Sequence, residues 1–221
     1  MLAEEIISDN IPPLKGSDTG EKAIEWMMEF KLSHLPLVEN KKYLGLVSED
    51  DILDFNNTGE KLGNYLRNLY KPFVLHTEHI FEVLRVATNL KTTIIPVVDE
   101  DMNYLGIISM QSLLYSFAKM SSISDLGGVI VLELESKSDY VMSDIARIVE
   151  SNDAHILSMF LNRNADNDNY SVFLKVDVTD IRAIVATFNR YEYTVKAYFD
   201  ESDMGDIYKD RFDSLMNYLN I

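Results

Sequence analysis

The chain has 221 residues, and 36 acidic against 20 basic side chains leave a formal charge of −16. A field of that sign repels nucleic-acid phosphates and argues against a nucleic-acid partner. The absence of cysteine removes disulfides, thiolate metal sites and cysteine nucleophiles together, while a 47% apolar share with ten Phe and twelve Tyr is enough to fill a core. The opening residues, Met1 to Gly16, carry early acidic groups and no long apolar core, unlike a signal peptide. No run approaches the roughly 18–20 apolar residues of a membrane span. The chain therefore reads as cytoplasmic, with no membrane partner.

Taken in order, Glu4 to Ser8 reads as a short helix or arm, and Ile11-Pro12-Pro13-Leu14 leads into a first folded segment. Asp18 with Glu21 three residues on resembles a capping box for a helix over 21–31. Apolar runs at His34–Val38 and Tyr43–Ser48, split by the charged turn Glu39 to Lys42, predict two strands, and helix resumes over Asp50–Phe55. After a break at Asn56 to Gly59 and a connecting segment bounded by Gly63 and Pro72, the order repeats. A strand at Phe73–Leu75 precedes a helix over 80–90, strands at Ile94–Val98 and Tyr104–Ser109, and a helix from near Ser112 to about Met120. The two halves are faint copies: Pro36 and Pro96 stand sixty residues apart, Gly45 and Gly106 sixty-one, so one turn residue is inserted between them. Each copy reads as β-α-β-β-α.

A seam rich in small residues, Ser121 to Gly128, marks a boundary. Beyond it the order is strand (129–135), helix (142–151), strand (154–162), strand (171–178), helix (180–189) and strand (193–199), the β-α-β-β-α-β plan of ferredoxin-like units. From Asp203 to Ile221, residues Ile207, Tyr208, Phe212, Leu215, Met216 and Leu219 trace one apolar stripe of a helix suited to docking on a neighbour or partner. The fold class is mixed α/β (α+β). Its parts are repeats at 1–58 and 59–121, a linker at 122–128, a third unit at 129–200 and a C-terminal amphipathic helix at 201–221.

Leu35-Pro36-Leu37-Val38 with Gly45 to Asp51, and Ile95-Pro96-Val97-Val98 with Gly106 to Ser109, resemble the CBS domain, whose tandem pair is the Bateman module. Val141 to Val149 followed by Ala154-His155-Ile156 looks like an ACT domain, and the order CBS, CBS, ACT is similar to the acetoin-utilisation accessory protein family. The resemblance implies a regulatory module rather than an enzyme, and a homodimer. No Gly-x-Ser-x-Gly elbow, phosphate loop or Gly-x-Gly-x-x-Gly is present to suggest otherwise.

Gly45-x-x-Ser48-x-x-Asp51 places a hydroxyl and a carboxylate where a strand ends and a helix begins. A carboxylate there can accept both hydroxyls of a ribose, and a helix start offers free N–H groups. A Ser and an Asp so spaced also cap a helix, and spacing alone does not separate the two roles. The CBS resemblance implies that Asp51, with Ser48 and Asp50 beside it, holds the ribose of an adenosine-containing ligand: AMP, ADP, ATP or S-adenosylmethionine. Thr92, Thr93 and Thr77 would complete the site from the other repeat. Ser112 replaces the carboxylate in the second copy, so Ser109 and Ser112 facing Ser17 and Ser33 make a weaker second site. Tyr140 stands where ligand-binding ACT domains commonly carry glycine, which favours a packing or dimerising role there. The alternative function is a ligand-free homodimeric scaffold that binds a partner protein through the CBS disc or the C-terminal helix. Metal is not expected: His76-Thr77-Glu78-His79 reads as a solvated loop, and Asp166 to Asn169 lacks the glycine of a calcium loop. His34 and His155 read as core-edge residues.

Overall fold

The computed structural model describes residues 1–8, 11–55, 57–64, 69–90, 92–164 and 169–200. The apolar stripe of 203–221 and the polar turn at 166–169 lie outside the described residues, 169 excepted. The chain divides into two units, Met1–Phe117 and Ala118–Ile221.

In the first unit, α1 (Gly20–Phe30) is followed by β1 (His34–Glu39), β2 (Lys42–Ser48) and α2 (Glu49–Leu53). The second copy consists of β3 (Val74–Leu75), α3 (Ile80–Leu90), β4 (Ile94–Val98), β5 (Tyr104–Ser109) and α4 (Met110–Met120). The leading strand expected of the first copy shrinks to one parallel bridge between Leu14 and Leu37, whereas β3 pairs with β4 as a true strand. Thr19, and not Asp18, caps α1, its hydroxyl accepting from the Lys22 N–H at 3.3 Å; Asp18 instead pairs with the Lys22 ammonium at 2.8 Å. The inserted residue lies in the second hairpin. Asn40 and Lys41, both at positive φ, form a two-residue turn, the pattern of a type I′ hairpin. The longer second turn is organised by Asp99, whose carboxylate accepts from the Asn103 side chain and the backbones of Asn103 and Asp101. The two turns also join: Tyr43 N–H donates to Met102 O at 3.1 Å and Tyr104 N–H to Lys41 O at 2.8 Å.

Alternation places Leu35, Leu37 and Val47 against Ala23, Met27 and Ile52 in one core cluster, while Leu46, Ile94 and Ile107 form a second that joins the repeats. The opening segment is fastened to the second repeat. Ala3 N–H donates to Glu78 O, Ser8 N–H to Ile107 O (both 2.8 Å), and Ile80 N–H to Met1 O. The His76 ring lies 2.9 Å from the Glu4 carboxylate and 3.4 Å from that of Glu100.

In the second unit the order is β6 (Val129–Leu134), α5 (Met142–Glu150), β7 (Ile156–Arg163), β8 (Tyr170–Val176), α6 (Arg182–Arg190) and β9 (Thr194–Phe199). The sheet is antiparallel throughout, in the order β7-β8-β6-β9. Ile130, Leu132, Leu134, Val172, Leu174 and Val176 point to one face, where Ile145, Ile148, Val149, Ile184 and Phe188 of α5 and α6 cover them. His155 is not a core-edge residue: it is 76% exposed and held by Asp177, whose carboxylate takes the His155 N–H at 2.7 Å and meets the ring at 2.9 Å.

Two outcomes are expected. Phe188 is fully buried, so Phe188→Ala should cost about 3–5 kcal/mol in denaturant unfolding of the second unit; a loss below about 1 kcal/mol would contradict the packing. The hydrogen bonds that the His76 ring makes to the Glu4 carboxylate, foremost, and to that of Glu100 raise its pKa above 6.5. A raised histidine pKa stabilises the docked arm fully below the unfolded value and loses that contribution as pH rises through the folded one. Glu4→Gln should therefore lower the melting midpoint below pH 6.5 and change it less well above; a pH-independent difference would contradict the pairing.

Candidate functional site

Ser48 and Asp51 form a closed capping box at the start of α2. The Ser48 N–H and hydroxyl donate to the Asp51 carboxylate at 2.7 and 2.6 Å, and the Asp51 N–H donates back to the Ser48 hydroxyl oxygen at 3.1 Å. The cap and the cleft coincide. Both residues line a cavity of about 220 Å³ together with His34, Leu46, Tyr70, Pro72, Leu90 and Thr92. One carboxylate oxygen takes both Ser48 bonds. The first turn of α2 carries Glu49, Asp50 and Asp51, which makes this cavity edge strongly anionic. His34 is half-buried beside Ser33, 2.8 Å from its hydroxyl. Burial lowers the His34 pKa below 6.5, opposed by Asp51 and Asp50.

Tyr70 and Pro72 belong to the connecting segment between the repeats, and sequence reasoning missed them as wall residues. Leu46 N–H donates to Tyr70 O at 2.9 Å, and the buried Tyr43 hydroxyl donates to Pro72 O at 2.9 Å. Gly45, at φ +153°, permits this approach: a Cβ there would lie 2.4 Å from Leu69 Cβ and 2.9 Å from Tyr70 O.

The expected residues divide. Thr92, buried, lies in the cavity, but its hydroxyl already donates to Ile94 O at 3.0 Å. Thr93 lies elsewhere, its hydroxyl 3.4 Å from that of Ser33, because alternation along the strand entry sends neighbouring side chains to opposite faces. Thr77 occupies an exposed turn after β3, and Asp50 is exposed on α2; neither lines this cavity.

A larger cavity, about 540 Å³, is lined by Ser109, Ser112, Thr93, Lys31, Leu32, Phe30, Ser8 and Ile11, among others. The Ser109 and Ser112 hydroxyls lie 2.9 Å apart. Ser17 is exposed and absent from its lining; Ser33 lines an adjoining cavity of about 330 Å³. These two cavities, at Ser48/Asp51 and at Ser109/Ser112, correspond under the internal repeat. Phe30 and Leu32 stand sixty positions before Leu90 and Thr92, and Ser48 and Asp51 stand sixty-one before Ser109 and Ser112. Ser8 and Ile11 of the opening segment therefore serve the second cavity as Tyr70 and Pro72 serve the first. Among the described residues, no group of three or more His, Asp or Glu side chains is set to hold a metal ion.

Residues 3–57 and 70–119 match the CBS domain family. The first unit is a tandem pair of CBS domains. An uncharacterized protein of Methanocaldococcus jannaschii is 28% identical over 128 residues, 57% of this chain; the chain spans about half (48%) of that relative's length. A CBS domain pair/ACT domain protein of Thermotoga maritima is 21% identical, with a TM-score of 0.49 over 54% of this chain and 98% of its own. CBSX2, solved in complex with AMP, is 23% identical, with a TM-score of 0.46 over 53% of this chain and 96% of its own. Within the CBS pair, each cavity draws its walls from both repeats, so a ligand in either would bridge them.

The Asp51 carboxylate charge holds the His34 pKa up against the lowering by burial. Asp51→Asn should therefore move the ring titration of His34 further down in an NMR pH series. An unchanged or raised value would place the two side chains farther apart than described.

Proposed function

We propose that the CBS pair is the sensing half of a regulatory protein and that its first cavity takes the ribose end of an adenosine-containing ligand: AMP, ADP, ATP or S-adenosylmethionine. The observation that carries this reading is the meeting of Ser48 and Asp51, from the first repeat, with Thr92, from the second, around one cavity. Asp51 would accept the ribose hydroxyls through the carboxylate oxygen that Ser48 leaves open. At about 220 Å³ the cavity is smaller than the ~300–1,000 Å³ of most ligand clefts, which suits a nucleoside whose remaining groups extend outward. The three carboxylates of the first α2 turn oppose a bare polyphosphate close by, so ligands with fewer negative charges should bind more tightly. The second cavity, with Ser109 and Ser112 and no carboxylate, would be the weaker site. A ligand that touches both repeats acts by favouring the arrangement of the pair it fits best.

The second unit is read as ACT-like on its β-α-β-β-α-β order and its β7-β8-β6-β9 sheet, with a role in dimerisation or signal transmission. The same reading makes the protein a cytoplasmic homodimer of the acetoin-utilisation accessory type, without enzymatic activity and with no obligatory cofactor. The ligand-free scaffold is the second reading. Exposed Leu114 and Tyr115 on α4 favour it, as a surface for a second copy or a partner protein.

Thermal unfolding against a panel of adenosine compounds separates the two. A ligand that binds only the folded state raises the midpoint by mass action. Asp51→Ala removes the carboxylate half of the capping box, worth about 1 kcal/mol, so the ligand-induced shift is the quantity to compare between variants. The sensor reading expects a shift with at least one compound and a loss of about tenfold or more in affinity in Asp51→Ala, with Ser112→Ala close to wild type. No shift with any compound, or equal shifts in Asp51→Ala, would leave the scaffold reading ahead.

A further inference from the structure

The cluster that joins the repeats, Leu46, Ile94 and Ile107, breaks the internal symmetry at one position. Leu46 stands sixty-one residues before Ile107, and the residue sixty before Ile94 is His34. The repeat thus sets a histidine where a fourth apolar side chain would stand, half-buried and in the lining of the first cavity. Its surroundings suit a ring that changes charge. Nδ1 lies 2.8 Å from the Ser33 hydroxyl, a group that can donate to a neutral ring or accept from a protonated one. Ser33 is anchored in turn to its own counterpart in the second repeat. The Ser33 N–H donates to the Thr93 hydroxyl at 3.3 Å, and the two hydroxyls lie 3.4 Å apart. With Nδ1 so held, Nε2 is the nitrogen left for a molecule in the cavity.

The charged groups set toward His34 are the Asp51 and Asp50 carboxylates of α2, with Glu49 ahead of them in the same turn. Tyr70 of the connecting segment and Thr92 of the second repeat are the polar residues that share the lining with His34, Ser48 and Asp51. Neither Lys nor Arg occurs among the described residues that line the cavity, so His34 is the one of them able to take a positive charge. We propose that His34 is the charge-selecting residue of the first cavity: protonated, it offsets the α2 carboxylates and admits an adenosine ligand that carries an anion; neutral, it leaves the cavity to uncharged or cationic ones. This rests on the reading of the cavity as an adenosine site. Burial holds the ring of the free protein below its ordinary pKa of 6.5, so near neutral pH an anionic ligand must bring a proton with it. Such a ligand binds more tightly as pH falls, because the bound form holds more protons than the free one.

The experiment pairs adenosine with adenosine 5′-sulfate, whose negative charge does not titrate between about pH 5 and 8, the range in which an imidazole does. Calorimetry of the full chain in buffers of different ionisation enthalpy reads the protons taken up per ligand bound. The proposal expects uptake with the sulfate near pH 6.5 and none with adenosine. It also expects the affinity for the sulfate, relative to adenosine, to rise about fivefold or more from pH 8 to 5.5. His34→Asn and His34→Gln should abolish both the proton uptake and that rise. The natural chain supplies a readout that needs no variant: the His34 ring titration, followed by NMR, should move up when the sulfate is bound. Proton uptake that persists in both variants, an unmoved His34 titration, or the same pH dependence for the two ligands would overturn the proposal, with adenosine binding still in place for the site itself. Binding of neither compound would overturn it together with the reading on which it rests.

Discussion

Backbone hydrogen bonds made by segments from outside each hairpin hold the first unit together and shape both of its cavities. The bond from Leu46 to Tyr70 brings the connecting segment onto β2, and the bond from Ser8 to Ile107 brings the opening segment onto β5. A strand edge left unpaired would expose backbone donors and acceptors. Here each edge is completed at the point where a cavity needs a wall. Gly45 is the local condition for the first closure, because any side chain there would collide with Leu69 and Tyr70. Leu46, Ile94 and Ile107 then bury the surface between the repeats, so neither cavity exists without both copies.

The chemistry of the first cavity follows from this construction. Ser48 and Asp51 satisfy each other as a helix cap, which fixes the carboxylate in one orientation before a ligand arrives. Preorganisation of this kind reduces the ordering cost of binding. Capping and the proposed ribose recognition would therefore be compatible in the same two side chains, since the cap occupies one carboxylate oxygen. In the second cavity the Ser109 and Ser112 hydroxyls bond to each other, and no carboxylate stands in its lining.

Much of this architecture was legible in the sequence. The spacing of Pro36 and Pro96 and of Gly45 and Gly106 located the paired hairpins, and the apolar alternation from Val129 onward located the strands of the second unit. Ser48 and Asp51 were legible because their chemistry and spacing are local. Tyr70, Pro72, Ser8 and Ile11 were not, since they sit in segments without apolar period and reach the cavities through long-range backbone pairing. The separation of Thr92 from Thr93 depended on which face each side chain takes, and a one-residue change of register reverses that. Thr19 displaced Asp18 as the α1 cap because either residue has the right chemistry and only the turn geometry chooses between them.

The most direct test of the bridging cavity is NMR chemical-shift mapping of the full chain as AMP is titrated in. If the nucleotide enters between Ser48, Asp51 and Thr92, signals from those residues, His34 and Tyr70 should move together, with one binding curve for both repeats. Movement confined to Ser109, Ser112 and the opening segment, or no saturable movement at all, would contradict a ribose site at Asp51.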